Sequence, residues 1–564
     1  MRSNDLDRSS SSAPSEQGDG PAQRSRLLDR RTFLRSTGVL GLTIAGGSFL
    51  AACEAAEDPE PEVEDDAAAD DDGPEAPTDT LSIRVVQDMS NVDPAFMAST
   101  VDATVGLCVF EKLVTFEPET GEIVNELAEE LEVADDGLSV EFKLKEGIQF
   151  HGGYGEVTAE DVKFSFERIA GLTDPDIEAT YSDDWAALEE VEVIDDYRGV
   201  IRLSEPFPPL MTTTLPAHAG TVMSKAAIEE LGEDIATTPI GTGPYQFESW
   251  DRGERVRLTR FEDWGGAGLE YADEPEWSEI VLLPIEDDSA AEIAVATGDA
   301  QFGLVPHDSV QRFIDDEDFE VVSQATQDYG WIGFNVTDDV LGDIEVRRAI
   351  RQALDVDSML EAAFDGQTTR AHALISPETP IGVWEDAPRY EPDPDAARAI
   401  LDDAGYDDLQ LEMSIVDEPG ARTIAEITQA NLAEIGIDVE IVERERDEMR
   451  GEDMRRLQLF YYSFSNQADP SWATVWFTSD QIDEWNTMSW SNEEYDELHQ
   501  QALVEVDEAE RDQMYVRMQE IMDEDVVAVW VKYRTRNYAY QVGLEPSLVT
   551  EHFGKYRPWA IRSA

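Results

Sequence analysis

Residues suited to catalysis or metal binding are scattered along this chain rather than grouped. The six histidines show neither an i, i+4 pair nor the His-Glu-x-x-His spacing of zinc hydrolases. We therefore expect them to lie at the surface or to pack in the interior, and metal binding by a single histidine is the alternative. Gly241-Thr242-Gly243 lacks the lysine of a phosphate-binding loop and precedes Pro244, which indicates a tight turn. We find no Gly-x-Ser-x-Gly elbow in the body of the chain. We therefore predict no catalytic residue, no metal and no cofactor.

Cys53 is the residue whose neighbours define its chemistry most clearly. It ends the run Leu50-Ala51-Ala52-Cys53, in which small side chains give a peptidase access and the sulfur accepts a lipid. Upstream, Arg30-Arg31 forms a twin-arginine pattern, and the uncharged stretch 36–50 is too short to span a bilayer. A buried amphipathic helix that begins with two arginines is the alternative. We expect residues 1–53 to be a twin-arginine signal peptide ending at lipid-bearing Cys53.

Residues 54–79 form a strongly acidic stretch behind that cysteine. It contains thirteen Asp or Glu, interleaved with Ala and Pro, and no Lys or Arg. Such a chain repels itself and buries little apolar surface, so it stays extended. An acidic interaction tail is the alternative. We expect a disordered tether that holds the folded body to the extracellular face of the cell membrane through the lipid anchor.

The charge of the chain limits the classes of partner that it can bind. The formal net charge is −83, from 124 acidic and 41 basic residues, which excludes nucleic acid because phosphate binding needs clustered Lys and Arg. Two explanations of this charge are possible: an acidic surface that keeps the protein soluble in concentrated salt, or a specific cation-binding role. The even spread of the acids favours the first and resembles proteins of salt-loving archaea. Cys108 lies in an apolar run and is expected to pack in a core, so no disulfide forms if Cys53 carries lipid.

The body after the tether, roughly 480 residues long, is expected to fold as two or three domains with mixed helices and strands. Thr158 and Asp161 form a capping box before a helix that buries Val162, Phe166 and Ile169. Apolar spacing predicts further elements, and their mixture indicates α/β lobes. They are strands at 81–86, 138–144 and 526–533, one helix at 345–359 with Asp343 as its cap, and one or two helices over 493–524.

Several sequence blocks resemble the family 5 extracellular solute-binding proteins, which are the dipeptide, oligopeptide and nickel-binding receptors of ABC importers. Their order along the chain matches the family from about Leu81 to near the C-terminus. The blocks are Gly147–Gly153 with Thr158–Arg168, Pro239–Tyr245, Gly333–Asn335, Val346–Ile350, Ala404–Tyr406, Ile435–Ile437 and Asp469–Pro470.

The resemblance implies an α/β fold: a two-lobed periplasmic-binding-protein-like clamp of type II, in the large family 5 variety, with two interlobe crossings. Lobe I is expected at 80–283 plus 530–564 and lobe II at 284–529, with the crossings near Pro284 and Trp530. A monomer would close around a small solute without altering it and deliver it to ABC permease subunits. A secreted hydrolase on an acidic scaffold and a chemosensory clamp without transport are the alternative functions.

The resemblance also implies where the ligand binds. In peptide-binding relatives, an Asp four residues before the Pro of the Asp-Pro block binds the α-amine of the ligand, and Asn466 stands there in this chain. A neutral amide lacks the charge-assisted bond that an ammonium needs in a dry cleft. Asp469 is nearby but out of register, and the family usually uses it structurally, although a shifted loop would restore amine capture. Peptide is the commonest cargo of the family, and Asn466 favours an oligosaccharide or another uncharged solute.

Aromatic side chains near this block suit sugar rings or other neutral solutes, unless they belong to the core. Tyr461 and Tyr462 are adjacent in a strand, so one of them is expected to face the cleft. Tyr245 either contacts ligand or pins its own turn, and Met89 lies in a loop where relatives line the first lobe. The predicted ligand-binding residues are Asn466, Tyr461, Tyr462, Asp469, Trp472, Tyr245, Met89 and Trp331.

Overall fold

The structure is a computed structural model that describes residues 79–117, 121–173, 179–264, 274–449, 451–548 and 556–564. The chain divides into two units, Met1–Gly73 and Pro74–Ala564. The first unit lies wholly outside the described residues, as do the twin-arginine pattern, Cys53 and the tether up to Thr78. All of the described residues belong to the second unit.

The strands of the second unit alternate with helices over most of its length. In chain order they are β1 (Thr80–Val85), β2 (Val114–Phe116), β3 (Ile123–Asn125), β4 (Ala128–Val133), β5 (Ser139–Leu144), β6 (Leu188–Asp195), β7 (Arg198–Leu203), β8 (Tyr245–Asp251), β9 (Arg255–Arg260), β10 (Glu279–Pro284), β11 (Phe302–Val305), β12 (Phe319–Phe334), β13 (Thr369–Arg370), β14 (Leu409–Ile415), β15 (Ile437–Glu443), β16 (Leu459–Phe464), β17 (Ala528–Gln541), β18 (Leu544–Glu545) and β19 (Arg562–Ser563).

The helices are mostly short and capped by acidic or hydroxyl side chains. They are α1 (Thr100–Val109), α2 (Ala159–Ile169), α3 (Lys225–Leu231), α4 (Asp288–Thr297), α5 (Val310–Ile314), α6 (Ile344–Ala353), α7 (Val356–Phe364), α8 (Pro394–Ala404), α9 (Ala421–Glu434), α10 (Ser471–Thr474), α11 (Glu493–Ala502) and α12 (Glu508–Glu524). The predicted capping box is present, with Asp161 accepting from the Thr158 backbone N–H. Val162, Phe166 and Ile169 are buried, which confirms the predicted buried face of α2.

One large mixed sheet runs through the whole unit. Its strand order is β15-β14-β16-β12-β17-β11-β1-β10-β9-β8, and β13 pairs with β17. The long antiparallel pair β12 and β17 stands in the middle of this order. A separate antiparallel sheet of four strands, β4-β5-β7-β6, packs against α2.

Separate hydrophobic cores lie toward the two ends of the large sheet. The first core gathers apolar residues between Leu81 and Leu282 with Phe302 and the C-terminal segment from Tyr538. A small core of α4, α5 and β11 adjoins it and includes Ala539. Two further cores lie at the other end of the sheet, one containing Tyr461 and the helices α6 to α9, the other containing Tyr462 and α10 to α12. We call the described residues within 79–325 and 535–564 the first half, and those within 329–533 the second half. This is the mixed α/β clamp that the sequence predicted.

Two predicted elements differ from the structure. The single helix expected over 345–359 is two helices, because Asp355 interrupts it and caps α7 through the Ser358 backbone N–H. The strand expected over 526–533 begins two residues later and continues to Gln541, because β12 and β11 supply partners along its whole length. Cys108 is fully buried in the first core, as expected.

No helix among the described residues has both the length and the apolar character needed to cross a membrane.

Candidate functional site

The strand pair β12/β17 carries an irregularity where it passes between the two halves. Pairing runs without a shift from Phe319↔Gln541 to Ala325↔Thr535 and resumes at Tyr329↔Tyr533. The three residues 326–328 therefore stand opposite the single residue Arg534, which makes a special β-bulge with two extra residues on β12. We call these three residues the hinge bulge. A second register shift follows between Gly330 and Trp331, where β17 carries one extra residue.

Side chains and backbone groups hold the hinge bulge in place. Thr326 Oγ1 donates to the Arg534 carbonyl oxygen at 2.9 Å and accepts from the Asp328 N–H at 3.2 Å. Gln327 Nε2 donates to the Glu378 carbonyl oxygen at 3.2 Å, and Ser376 Oγ donates to the Thr326 carbonyl oxygen at 3.1 Å. The bulge is thus tied to the second half of the protein as well as to its own strand partner.

Asp328 brings a buried carboxylate to the loop that contains Asn466. Its side chain is 1% exposed, and Oδ1 accepts from the Asn466 backbone N–H at 3.2 Å. Two guanidinium groups flank Oδ2, that of Arg534 at 3.7 Å and that of Arg536 at 3.6 Å. The position that the sequence assigned to amine binding therefore lies beside a carboxylate from another strand, and that carboxylate is outnumbered by cations.

Lys532, Arg534 and Arg536 alternate along β17 and form a basic strip beside the hinge bulge. Lys532 is buried, with its ammonium 4.1 Å from the centre of the Phe364 ring, and burial followed by the charge of Arg534 lowers its pKa to about 8. The Arg534 side chain is 38% exposed. The strip therefore contains a buried cation, Lys532, a half-buried one, Arg536, and one that solute can reach, Arg534.

An aromatic cluster lies on the face of the sheet opposite Tyr461. Trp331 is fully buried there, 4.9 Å from Phe464 and 5.8 Å from Tyr462 between ring centres. Tyr462 is buried as well, while Phe464 and the three other tryptophans are half-buried and make edge-to-face or tilted contacts with one another. The cluster comprises Trp331, Tyr462, Phe464, Trp472, Trp476 and Trp485.

Asp469 has its carboxylate fully engaged within the protein. It accepts from Arg511 Nη2 and Nη1 at 2.7 and 2.8 Å, from the Ser471 N–H at 3.0 Å and from Thr212 Oγ1 at 2.6 Å. Burial alone would raise the pKa of Asp469, but the charge of Arg511 and these hydrogen bonds outweigh it and hold the pKa below its usual value. The residue thus stays ionised.

Tyr245 and Met89 lie in the first core, apart from the hinge bulge. The Tyr245 hydroxyl donates to the Trp277 carbonyl oxygen at 2.6 Å, which ties the start of β8 to the segment before β10. Met89 is 3% exposed, and Asp102 holds the loop around it by accepting from the Ser90 N–H and hydroxyl. Tyr461 and Tyr462 face opposite sides of the sheet as adjacent strand residues must, and both are buried.

Sequence reasoning missed Asp328, Arg534, Arg536, Thr212 and Arg511. A signal for the basic strip was present, because three cations at alternate strand positions are rare in a chain with 41 basic and 124 acidic residues. A signal for the hinge bulge was present too, since the polar run Thr326-Gln327-Asp328 interrupts a strand. Nothing in the local sequence pairs Thr212 with Asp469.

Within the described ranges, no group of three or more His, Cys, Asp or Glu side chains is placed to hold a metal ion.

A sequence model of one family spans most of the folded unit. Residues 122–495 match the bacterial extracellular solute-binding proteins, family 5, middle region. The chain belongs to this family. As a family 5 solute-binding protein it is a binding protein and not an enzyme, it acts outside the cytoplasm, and it works with ABC permease subunits.

Known proteins resemble this solute-binding protein over nearly its whole folded part. It is 27% identical to the glutathione-binding protein GsiB of Salmonella paratyphi A over 457 residues, 78% of this chain and 86% of the relative. The structure of HbpA2 from Haemophilus parasuis superposes with a TM-score of 0.76 at 23% identity, covering 86% of this chain and all of the other. The periplasmic binding protein DppA from Helicobacter pylori, in complex with the peptide STSA, gives 0.72 at 23% identity, with 86% and 98% covered. The two structures establish the fold.

Proposed function

We propose that this protein captures a peptide-like solute that bears carboxylate groups, at the hinge bulge, and delivers it to an ABC permease. The observation that carries the proposal is the basic strip with its accessible Arg534, in a chain whose net charge is −83. A site that is locally cationic on an acidic protein recruits an anion and holds it by charge-assisted hydrogen bonds. The guanidinium of Arg534 is suited to a carboxylate because it offers a planar pair of donors.

The loop at Asn466 supports a zwitterionic or anionic ligand rather than a simple cation. Asp328 offers a carboxylate near the place where relatives bind an α-amine, while Arg534 and Arg536 offset its charge. The name of the glutathione-binding relative and the peptide held by the DppA structure agree with such a ligand. In this proposal Asn466 and Asp328 receive the amine end and Arg534 receives a carboxylate.

A neutral oligosaccharide is the second candidate, and the aromatic cluster favours it. Trp472, Trp476 and Trp485 are half-buried, so they keep exposed edges and faces on which sugar rings could stack. Trp331 and Tyr462 lie deeper and support these rings. A ligand of this class would not depend on the basic strip.

We further propose that the lobes meet at the hinge bulge instead of near Pro284. Residues 302–305 pair with β1 and β17 of the first half, which supports assigning α4, α5 and β11 to lobe I. The second crossing then lies at Arg534, a few residues after Trp530. Closure would bend both strands at this point.

The proposal also assigns roles to the N-terminal residues 1–79. Residues 1–53 direct export by the twin-arginine route, Cys53 carries the lipid, and residues 54–79 tether the monomer to the extracellular face of a membrane in a salt-rich environment. The support is the sequence order of the three signals and the acidic composition.

Thermal unfolding in molar salt tests the proposal. Glutathione, the peptide Ser-Thr-Ser-Ala, its C-terminal amide and maltotriose are each added to the purified protein, because a ligand that binds the native state raises its melting temperature. We expect glutathione or the free-acid peptide to raise it and the amide to act more weakly. A response to maltotriose alone would favour the second candidate and reject the first.

Two arginine variants sharpen the test. Arg534→Met should weaken binding of the carboxylate ligand by roughly tenfold or more, since it removes a charge-assisted hydrogen bond. Arg517→Met, which removes an arginine of helix α12 whose partners are the acidic residues Glu494, Glu520 and Glu524, is the matched control and should bind normally. Equal affinities of the wild type and Arg534→Met would refute a role for the basic strip.

A further inference from the structure

A hydrogen bond joins the two halves of the protein at a place other than the hinge bulge. Thr212 belongs to the first half, and its Oγ1 donates to Asp469 Oδ2 of the second half at 2.6 Å. Thr212 lies in a single π-helical turn, Leu210–Thr214. Such turns are rare and frequently occur at functional positions.

The acceptor of this hydrogen bond is rigidly placed. Arg511 holds both oxygens of Asp469, and Arg511 is itself fixed because its Nε donates to the Ala502 carbonyl oxygen at 2.8 Å. Asp469 and Arg511 have side-chain exposures of 0% and 4%. The second half therefore presents a preformed, ionised acceptor that does not need Thr212 to stay in position.

The surroundings of the contact are mostly apolar, apart from Glu505, Glu508 and Arg511, and belong to both halves. A cavity of about 240 Å³ adjoins it, lined by Val140, Phe207 and Met211 from the first half and by Val506 and Arg511 from the second. At Gly137 a Cβ atom would lie 3.1 Å from Val506 Cγ1, which shows how closely the halves approach. A hydrogen bond to a carboxylate is stronger in such a setting than in water.

We propose that Thr212 and Asp469 form a latch that stabilises the closed arrangement of the lobes, and that Thr212 is thereby a positioning residue for solute affinity. The effect on affinity rests on the proposed function. Because the measured affinity scales with the population of the binding-competent form, losing the latch weakens binding by the factor by which it depletes the closed form. One hydrogen bond to a charged group corresponds to roughly tenfold.

Three substitutions separate the latch from general packing. Thr212→Val keeps the shape of the side chain and removes the hydroxyl, and Thr212→Ser restores the hydroxyl. Thr213→Val is the matched control, because the buried Thr213 hydroxyl makes no hydrogen bond within the described residues. Asp469 is left unchanged, since its loss would strand Arg511 and unfold the region.

Hydrogen exchange of the full-length protein without added solute tests the latch directly. We expect the amides of residues 210–215 to exchange roughly tenfold faster in Thr212→Val than in the wild type, with helix α2 unchanged as an internal reference. Thr212→Ser and Thr213→Val should match the wild type. Equal exchange in Thr212→Val and Thr213→Val would overturn the proposal.

Titration with glutathione as the probe tests the effect on affinity. The Kd should rise roughly tenfold in Thr212→Val and stay unchanged in the two other variants. A normal Kd together with faster exchange would reject the link to affinity. If glutathione does not bind the wild type, the proposed function fails for this solute, and the exchange experiment still decides whether the latch exists.

Discussion

Arg511 and Asp469 form a bidentate ion pair inside the second half, with two hydrogen bonds of 2.8 and 2.7 Å. Asp469 precedes the short helix α10, and Arg511 lies in the first turns of α12. The Tyr515 hydroxyl also accepts from Arg511 at 2.9 Å. The pair therefore fastens the loop after β16 to the longest helix of the described chain.

Arg511→Met is expected to lower the free energy of unfolding by about 3–5 kcal/mol, because it leaves the Asp469 carboxylate buried without its counter-charge. Urea unfolding in molar salt measures the change. Arg517→Met is the control, and its exposed partners predict a loss of less than about 1 kcal/mol. Similar losses in both variants would mean that the buried pair contributes no more than a surface one.

Glu111 gives the protein an expected dependence of stability on pH. The carboxyl group is 2% exposed and accepts from Trp264 Nε1 at 3.2 Å. Burial, followed by the nearby charge of Glu126, raises its pKa from 4.5 to about 8. Below pH 4.5 both the folded and the unfolded chain hold this proton; between 4.5 and about 8 only the folded chain does, so the stability contributed by this group falls as the pH rises.

Glu111→Gln should therefore have a larger free energy of unfolding than the wild type at pH 8, by on the order of 4 kcal/mol, and this advantage should vanish near pH 4.5. The difference between the two urea midpoints across this range isolates Glu111 from other titrating groups. A difference that does not change with pH would show that Glu111 has the same pKa in the folded and the unfolded protein.

The melting temperature is expected to rise with salt concentration. Acidic residues are spread over the chain, and their repulsion acts over about 10 Å at 0.1 M salt but only about 3 Å at 1 M. We expect an increase on the order of 10 °C between 0.1 and 2 M NaCl, measured by circular dichroism. Sucrose of equal osmolality is the control, and an equal effect of sucrose would point away from charge screening.

Cys53→Ser is expected to leave folding intact and to release the protein from cells into the medium, because the mutation removes the sulfur that would accept lipid. Fractionation of membranes and medium measures this. Cys108→Ser is the comparison variant that keeps the proposed anchor, and it should remain with the membrane. Retention of the Cys53→Ser protein at the membrane would contradict the proposed anchor.

More of the fold than of the candidate site could be predicted from the sequence. Local signals such as the Thr158 capping box and the alternation in β5 depend on residues close in sequence, and the structure confirms both elements. The sequence blocks of the family placed the clamp because each block marks one element in a fixed order. The break at Asp355 was missed because a capping aspartate does not disturb the helical spacing of apolar residues around it.

The site depends on contacts between distant residues, which local patterns do not encode. Asp328 and Asn466 lie 138 positions apart, and Thr212 and Asp469 lie 257 apart. The sequence pointed to polar and aromatic residues around Asn466, but the carboxylate and the cations beside it come from β12 and β17. The aromatic residues could be named from the sequence, whereas the depth of each ring follows from packing.

The hinge bulge also limits how the chain length can vary. It adds two residues to β12 relative to β17, and an even number preserves the alternation of side chains between the two faces of the sheet. Inserting or deleting a single residue there would turn Tyr329 and Trp331 toward the opposite layer of helices. Length changes at this point should therefore be tolerated only in pairs of residues.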